Sequence, residues 1–203
     1  MAKLLVINNL TLDGVMQAPG RPDEDTRDGF THGGWAMPYN DEIKGRAMGA
    51  GMAAGGSGNA ALLLGRRTYE DFAGFWPKQE DNPFTAVLDA MNKYVVTTTL
   101  REPLPWQNSV VVPGDAATSV AALKPETERD LVVMGSGELV RTLAGADLVD
   151  EYVVMIHPLV LGTGRRLFTE TGLRTGFELV NSLTTSTGVL IATYRPEGRS
   201  PAV

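Results

Sequence analysis

Two short turns in this chain have the residue types to hold a phosphate. They are Leu62-Leu63-Leu64-Gly65-Arg66-Arg67-Thr68-Tyr69 and Leu131-Val132-Val133-Met134-Gly135-Ser136-Gly137-Glu138-Leu139. In each, an apolar strand is expected to stop at a glycine and hand over to a helix. The first N–H groups of a helix have no intrahelical partner and lie at the positive end of its dipole, so they can bind an anion. Arg66, Arg67 and Thr68 add guanidinium and hydroxyl donors, Ser136 adds a hydroxyl, and Gly135 and Gly137 allow close backbone approach. A third turn, Tyr94-Val95-Val96-Thr97-Thr98-Thr99, ends a strand in hydroxyls and is followed by Arg101. Together the three turns are expected to hold a phosphorylated dinucleotide. The alternative is that Gly65 and Gly135 only end strands.

Composition removes several other chemistries. The 203 residues include no cysteine, which excludes disulfides and thiolate nucleophiles, and only two histidines, with no carboxylates clustered at metal-ligand spacing. No metal is expected. A net charge of −6 with no basic stripe argues against a nucleic-acid partner. The apolar run Leu4 to Ile7 turns polar at Asn8, too short for a signal peptide core or a membrane span, so a cytoplasmic protein is expected.

The elements that must position these turns follow from the apolar runs. Strands are expected at 3–8, 60–64, 93–98, 109–112, 131–134, 151–157, 177–183 and 189–195. Most runs are continuous rather than alternating, as in parallel strands covered on both faces. Helices are expected from an Asn40 cap to about Ala54, and over 68–74, 84–92, 116–123 and 137–144. The last two strands, separated by Thr184 to Gly188, suit an antiparallel hairpin. Gln17 to Pro38 reads as a surface loop, Gly55 to Gly58 as a flexible turn, and the chain from Pro196 onward as a frayed tail. With 43% hydrophobic residues, a single α/β domain spanning 1–203 is expected.

Thr11-Leu12-Asp13-Gly14 after the first strand, Leu64-Gly65-Arg66-Arg67-Thr68-Tyr69-Glu70 at the second and Val133-Met134-Gly135-Ser136-Gly137 at the fifth resemble, in order and spacing, the dihydrofolate reductase-like superfamily. His157-Pro158-Leu159-Val160-Leu161-Gly162-Thr163-Gly164 with Leu167-Phe168 is similar to one branch of it, the reductase domain of the bacterial riboflavin-biosynthesis deaminase-reductase. The resemblance spans about Lys3 to Arg195. It implies a three-layer α/β fold, a mainly parallel mixed sheet flanked by helices, and a homodimer. It also implies NADPH and hydride transfer to a pterin-like or ribosylamino-pyrimidinone-like substrate. Two other functions stay open: NADPH-dependent reduction of an unrelated carbonyl or imine, and NADP binding without turnover. The chain lacks a deaminase-like His/Cys zinc motif, which counts against a complete bifunctional enzyme.

The resemblance implies cofactor contacts at Gly14, Gly65, Arg66, Arg67, Thr68, Thr97, Thr98, Gly135, Ser136, Gly137, Glu138 and Leu139. The Asp13 turn lies on a loop that covers the nicotinamide in the superfamily. Trp35, Met37, Pro38, Tyr39, Asp41 and Glu42 lie where the superfamily places its substrate pocket, and a heterocyclic hydride acceptor needs an apolar stack and often a carboxylate. Asp13 and Asp41 are therefore the catalytic candidates, and Trp35, Tyr39, His157 and Arg165 the substrate-binding ones. Each has a plainer alternative. Asp13-Gly14 can be a simple turn, Asp41 and Glu42 can stabilise a helix start, and His157 can be satisfied at a strand end. Arg165 and Arg166 can be surface arginines.

Overall fold

Strands that are apolar on both sides need cover on both sides, and here the central parallel strands have it. The computed structural model describes residues 2–52, 60–79, 81–169 and 174–197. Its strands are β1 (Leu4–Thr11), β2 (Ala60–Gly65), β3 (Lys93–Val96), β4 (Ser109–Val112), β5 (Asp130–Met134), β6 (Glu151–His157), β7 (Phe177–Thr184) and β8 (Leu190–Pro196). They form one sheet in the order β4-β3-β2-β5-β1-β6-β8-β7. The pairs from β4 to β6 are parallel, whereas β8 runs antiparallel to both β6 and β7. This is the mainly parallel sheet with a C-terminal antiparallel hairpin that the sequence implies. β1 runs past the expected Asn8, because Asn9, Leu10 and Thr11 continue the ladder opposite Met155, Ile156 and His157.

Among the described residues the α-helices flanking the sheet are α1 (Glu42–Met52), α2 (Arg66–Phe75), α3 (Pro83–Ala90), α4 (Ala116–Glu126) and α5 (Gly137–Gly145). Alternation along each central strand divides the core in two. Leu4, Val6, Leu63 and Val133 pack with Val120 of α4 and Leu139, Val140 and Leu143 of α5. On the other face, Leu5, Ile7, Leu62 and Leu64 pack with Met48 of α1, Tyr69 of α2 and Leu88 of α3. Each fully buried aliphatic side chain contributes roughly 1.5–3 kcal/mol. The result is three layers. Among the described residues no helix is long and apolar enough to cross a membrane.

Two expectations need correction. Asn40 does not cap α1; the Asp41 carboxylate accepts the Lys44 N–H at 2.7 Å, while the Asn40 amide oxygen takes the Lys44 ammonium at 2.9 Å. Nor is 17–38 simply a surface loop. Phe30, Trp35 and Ala36 are buried with Val15 and Ala18 in a small core of their own, and the Trp35 indole N–H donates to the Gln17 carbonyl at 2.7 Å. The Gly55 to Gly58 turn and the tail beyond Glu197 lie outside the described residues.

Candidate active site

β2 and β5 are neighbours in the sheet, yet α2 and α5, which follow them, pack on opposite faces. In open α/β sheets such a switch point leaves a crevice at the carboxyl ends of the strands. Here the two glycine turns meet and are tied together. The Gly65 N–H donates to Ser136 Oγ at 3.0 Å, and the Ser136 N–H donates to Thr68 Oγ1 at 3.1 Å. Asn8 of β1 adds a bond from its amide nitrogen to the Gly135 carbonyl at 3.3 Å. The tie demands a sharp path, with Gly135 at φ +61° and Ser136 in the left-handed region at φ 50°, ψ 45°. A Cβ on Gly135 would lie 3.3 Å from Thr68 Cγ2. The Ser136 hydroxyl is thus a structural clasp: its oxygen accepts from Gly65, which leaves its own O–H to donate.

The helix starts differ in a telling way. Asp41, Asn82 and Asp115 cap α1, α3 and α4 through their side chains. Gly65 and Ser136, the caps of α2 and α5, place no side-chain bond on their helices. Both uncapped starts open into one cleft of about 720 Å³, with Arg66, Arg67 and Thr68 on one wall and Gly137, Glu138 and Leu139 on the other. Arg141 and Arg165 also line it. Glu138, an acid at the anion end of α5, is matched by Arg165 at 3.3 Å, and Arg165 also reaches Asp28 at 2.8 Å. A Cβ at Gly137 would sit 2.6 Å from Met16 Sδ, so only glycine leaves this wall open. Uncapped N–H groups, arginines and a bare backbone are the donor set that a dinucleotide diphosphate requires.

From the two helix starts the cleft extends in two directions. One arm reaches Val96 at the end of β3 and Ala116 at the start of α4. The other is lined by Ile7, Asn8 and Asn9 of β1, by Met16 to Pro19, and by Met48, Phe72, Asp71 and Glu24. Thr97 and Thr98 stand outside these walls. Thr97 is buried, and its hydroxyl accepts the N–H groups of Thr99 and Leu100 in a local turn, while Arg101 folds back on the carbonyls of Thr98 and Leu100.

Of the expected substrate residues, Arg165 lines the cleft, whereas Trp35 and Tyr39 gather elsewhere, around a fully buried His157. Because carbonyls only accept, His157 Nδ1 carries the proton shared by the Leu10 and Met155 carbonyls at 3.2 and 2.9 Å. Its Nε2 then accepts from the buried Lys44 ammonium at 3.1 Å. Burial and the Lys44 charge push the imidazole down to about 4, and burial lowers Lys44 to about 8. Trp35 and Tyr39 pack edge-on against the ring at 5.1 and 5.5 Å. None of these side chains lines the cleft.

Asp41 is equally committed, accepting from the Lys44 N–H and from both the N–H and hydroxyl of Ser186. Asp13 accepts from Thr11 Oγ1, Leu161 N and Gly162 N and pairs with Arg166 at 3.4 Å. The Thr11 hydroxyl is the largest influence holding its carboxyl down at about 2. Gly14 serves the same turn at φ +79°. Asp13, Gly14 and Arg166 therefore fasten the loop after β1 to the 161–166 turn, away from the cleft walls.

The acids that do reach the cleft are Asp23, Glu24, Asp25, Glu70, Asp71 and Glu138, of which sequence reasoning singled out Glu138 alone. Four acids in the 17–38 loop were the sole signal for the first three.

The family model described as the RibD C-terminal domain matches residues 2–191. The uncharacterised protein YyaP of Bacillus subtilis (strain 168) is 29% identical over 141 residues, 68% of this chain and 74% of that protein. Among solved structures, a protein assigned provisionally to riboflavin biosynthesis from Shewanella sp. PV-4 is similar, with a TM-score of 0.67 and 20% identity, covering 97% of this chain and 99% of the other. A pyrimidine reductase-like protein from Corynebacterium diphtheriae has a TM-score of 0.62 at 11% identity, covering 98% of this chain and 93% of the other. Such identities speak to the fold. The family match over nearly the whole chain, on the sheet order and glycine turns described above, shows that this protein belongs to the RibD C-terminal domain family, one of riboflavin-pathway reductase type.

Proposed function

We propose that this protein is an NADPH-dependent reductase of a small heterocyclic substrate. The observation that carries the reading is the convergence of two helix starts without side-chain caps at the switch point between β2 and β5. Their N–H groups hold the diphosphate, and Arg66 and Arg67 favour the coenzyme with the extra phosphate. The arm toward Val96 takes the adenosine. The arm lined by Met16 to Pro19 takes the nicotinamide, with Ile7 and Met16 keeping water from its face. When bound, the coenzyme supplies a hydride; the chain supplies orientation and exclusion of water.

The test is calorimetric titration with NADPH and NADH, followed by NADPH absorbance against dihydrofolate, dihydropterins and the ribosylamino-pyrimidinone phosphate. NADPH should bind more tightly than NADH, and at least one heterocycle should be reduced. Equal affinities, or binding of neither, would remove the basis for the site.

A further inference from the structure

We propose that Glu24 is the proton donor of the cleft, and that its substrate is a phosphate-free heterocycle or imine with a basic nitrogen. This rests on the reading of the cleft as a coenzyme site. Glu24 lies on the wall of the arm assigned to the nicotinamide and substrate, with Met48 of α1 and Phe72 of α2. Its Oε2 accepts the N–H groups of Gly20 at 2.6 Å and Arg21 at 3.2 Å. Gly20 permits the approach, since a Cβ there would lie 3.0 Å from the same oxygen. Among the described residues Oε1 makes no hydrogen bond, so the carboxyl is anchored by one oxygen and has the other to donate.

The neighbours of this carboxyl are spent on one another. Arg21 forms a two-pronged pair with Asp71 and also reaches Asp23 at 3.1 Å. Arg27 pairs with Asp25. Glu24 is the acid of this wall that has no ion pair among the described residues. The charged groups facing it are Asp71 from α2 and Arg21 from its own loop. Burial, reinforced by the Asp71 charge, raises its carboxyl above the ordinary glutamate range. With its arginines already matched and its acids in excess, this wall repels a phosphate monoester and favours a neutral or basic ligand.

The chemistry balances. As a hydride reaches the carbon of a C=N bond, the π pair moves to nitrogen, which takes the proton from Glu24. Glu24 is left as a carboxylate and regains a proton from water.

The first readout needs no known substrate. Protein labelled with ¹³C at glutamate carboxyls is titrated by NMR, with Glu24→Gln assigning the signal. Glu24 should titrate above the ordinary range in the free protein. It should titrate about one pH unit lower with NADP⁺ than with NADPH, because the oxidised ring carries a positive charge nearby. Glu24→Gln should keep its Tm and NADPH affinity, and should lose about 10²-fold in turnover of a dihydropterin. An ordinary midpoint, the same midpoint with both coenzymes, full turnover by Glu24→Gln, or preference for the ribosylamino-pyrimidinone phosphate would overturn the proposal. Failure of wild-type protein to bind either coenzyme would instead sink the coenzyme reading on which it rests.

Discussion

Ser136 and Gly65, 71 positions apart in sequence, are joined by a 3.0 Å bond from the Gly65 N–H to the Ser136 hydroxyl. The bond spans the ends of adjacent strands whose helices depart to opposite faces. It holds the two uncapped helix starts at a fixed separation, and its energetic weight lies in what happens when it is lost. An amide left without a partner in a half-buried turn costs about 1–3 kcal/mol.

Ser136→Ala should therefore lower stability by about 1–3 kcal/mol and weaken NADPH binding by tenfold or more, as read by urea unfolding and calorimetry. Ser136→Gly loses the same clasp but relieves the left-handed backbone at φ 50°, so it should be less destabilised while binding NADPH as poorly as the alanine variant. Unchanged NADPH affinity in both variants would show that the clasp does not shape the site.

Asp41 occupies the position at which a catalytic acid was expected, yet its carboxylate is engaged by Lys44 and by the Ser186–Thr187 turn. Those hydrogen bonds, led by the Lys44 N–H, hold its carboxyl below the usual range. Asp41→Asn retains a good cap and should leave NADPH affinity and turnover unchanged with a small fall in Tm. Asp41→Ala should lower Tm further, again with turnover intact. A 10²-fold fall in turnover for Asp41→Asn would restore Asp41 as the acid.

The parts that sequence made legible are those whose signal is local. Leu62 to Leu64 and Leu131 to Val133 announce buried strands by composition, and the glycines after them announce the turns. β1 was read short because Asn9 and Thr11 are polar, although the sheet needs only their backbone. The far end of the cleft has no local signal. Arg21 meets Asp71 from 50 positions away, and nothing in the spacing of Asp23, Glu24 and Asp25 says which acid is left without a cation. His157 was misleading for a related reason. A histidine at a strand end can face solvent or core, and here Trp35, Tyr39 and Lys44, all distant in sequence, enclose it.

That enclosure makes a pH prediction. His157 titrates near 4 when folded against 6.5 for an ordinary histidine, so between these values the unfolded chain binds a proton that the native state refuses. Stability should fall as pH drops from about 6.5 to about 4. Asp13, held at about 2 against 3.8, acts in a separate window: its contribution is present above 3.8 and is lost between there and about 2. Urea midpoints at pH 7, 4 and 2.5 should show both losses, and His157→Phe should flatten the first while keeping the second. A first loss of the same size in His157→Phe would assign it to other groups.

Gly137 tests whether the cleft wall must be bare. It begins α5, where alanine is normally favoured over glycine by about 0.5–1 kcal/mol. The atom in the way is the flexible end of Met16, whose sulfur would lie 2.6 Å from a new Cβ. Met16 can swing aside, but it lines the cleft and would move at the expense of the space beside the helix start. Gly137→Ala should keep or slightly raise Tm and weaken NADPH binding about tenfold. Gly137→Val, which adds bulk toward Arg141 Nη1 at 3.4 Å, should abolish binding with the fold retained. Adding Met16→Ala to Gly137→Ala should recover much of the affinity if displaced Met16 is the cause. If the double variant binds no better than Gly137→Ala, the methyl group itself obstructs the diphosphate, and the bare backbone is the contact. If Gly137→Ala unfolds, the glycine is structural, and the wall owes nothing to a ligand.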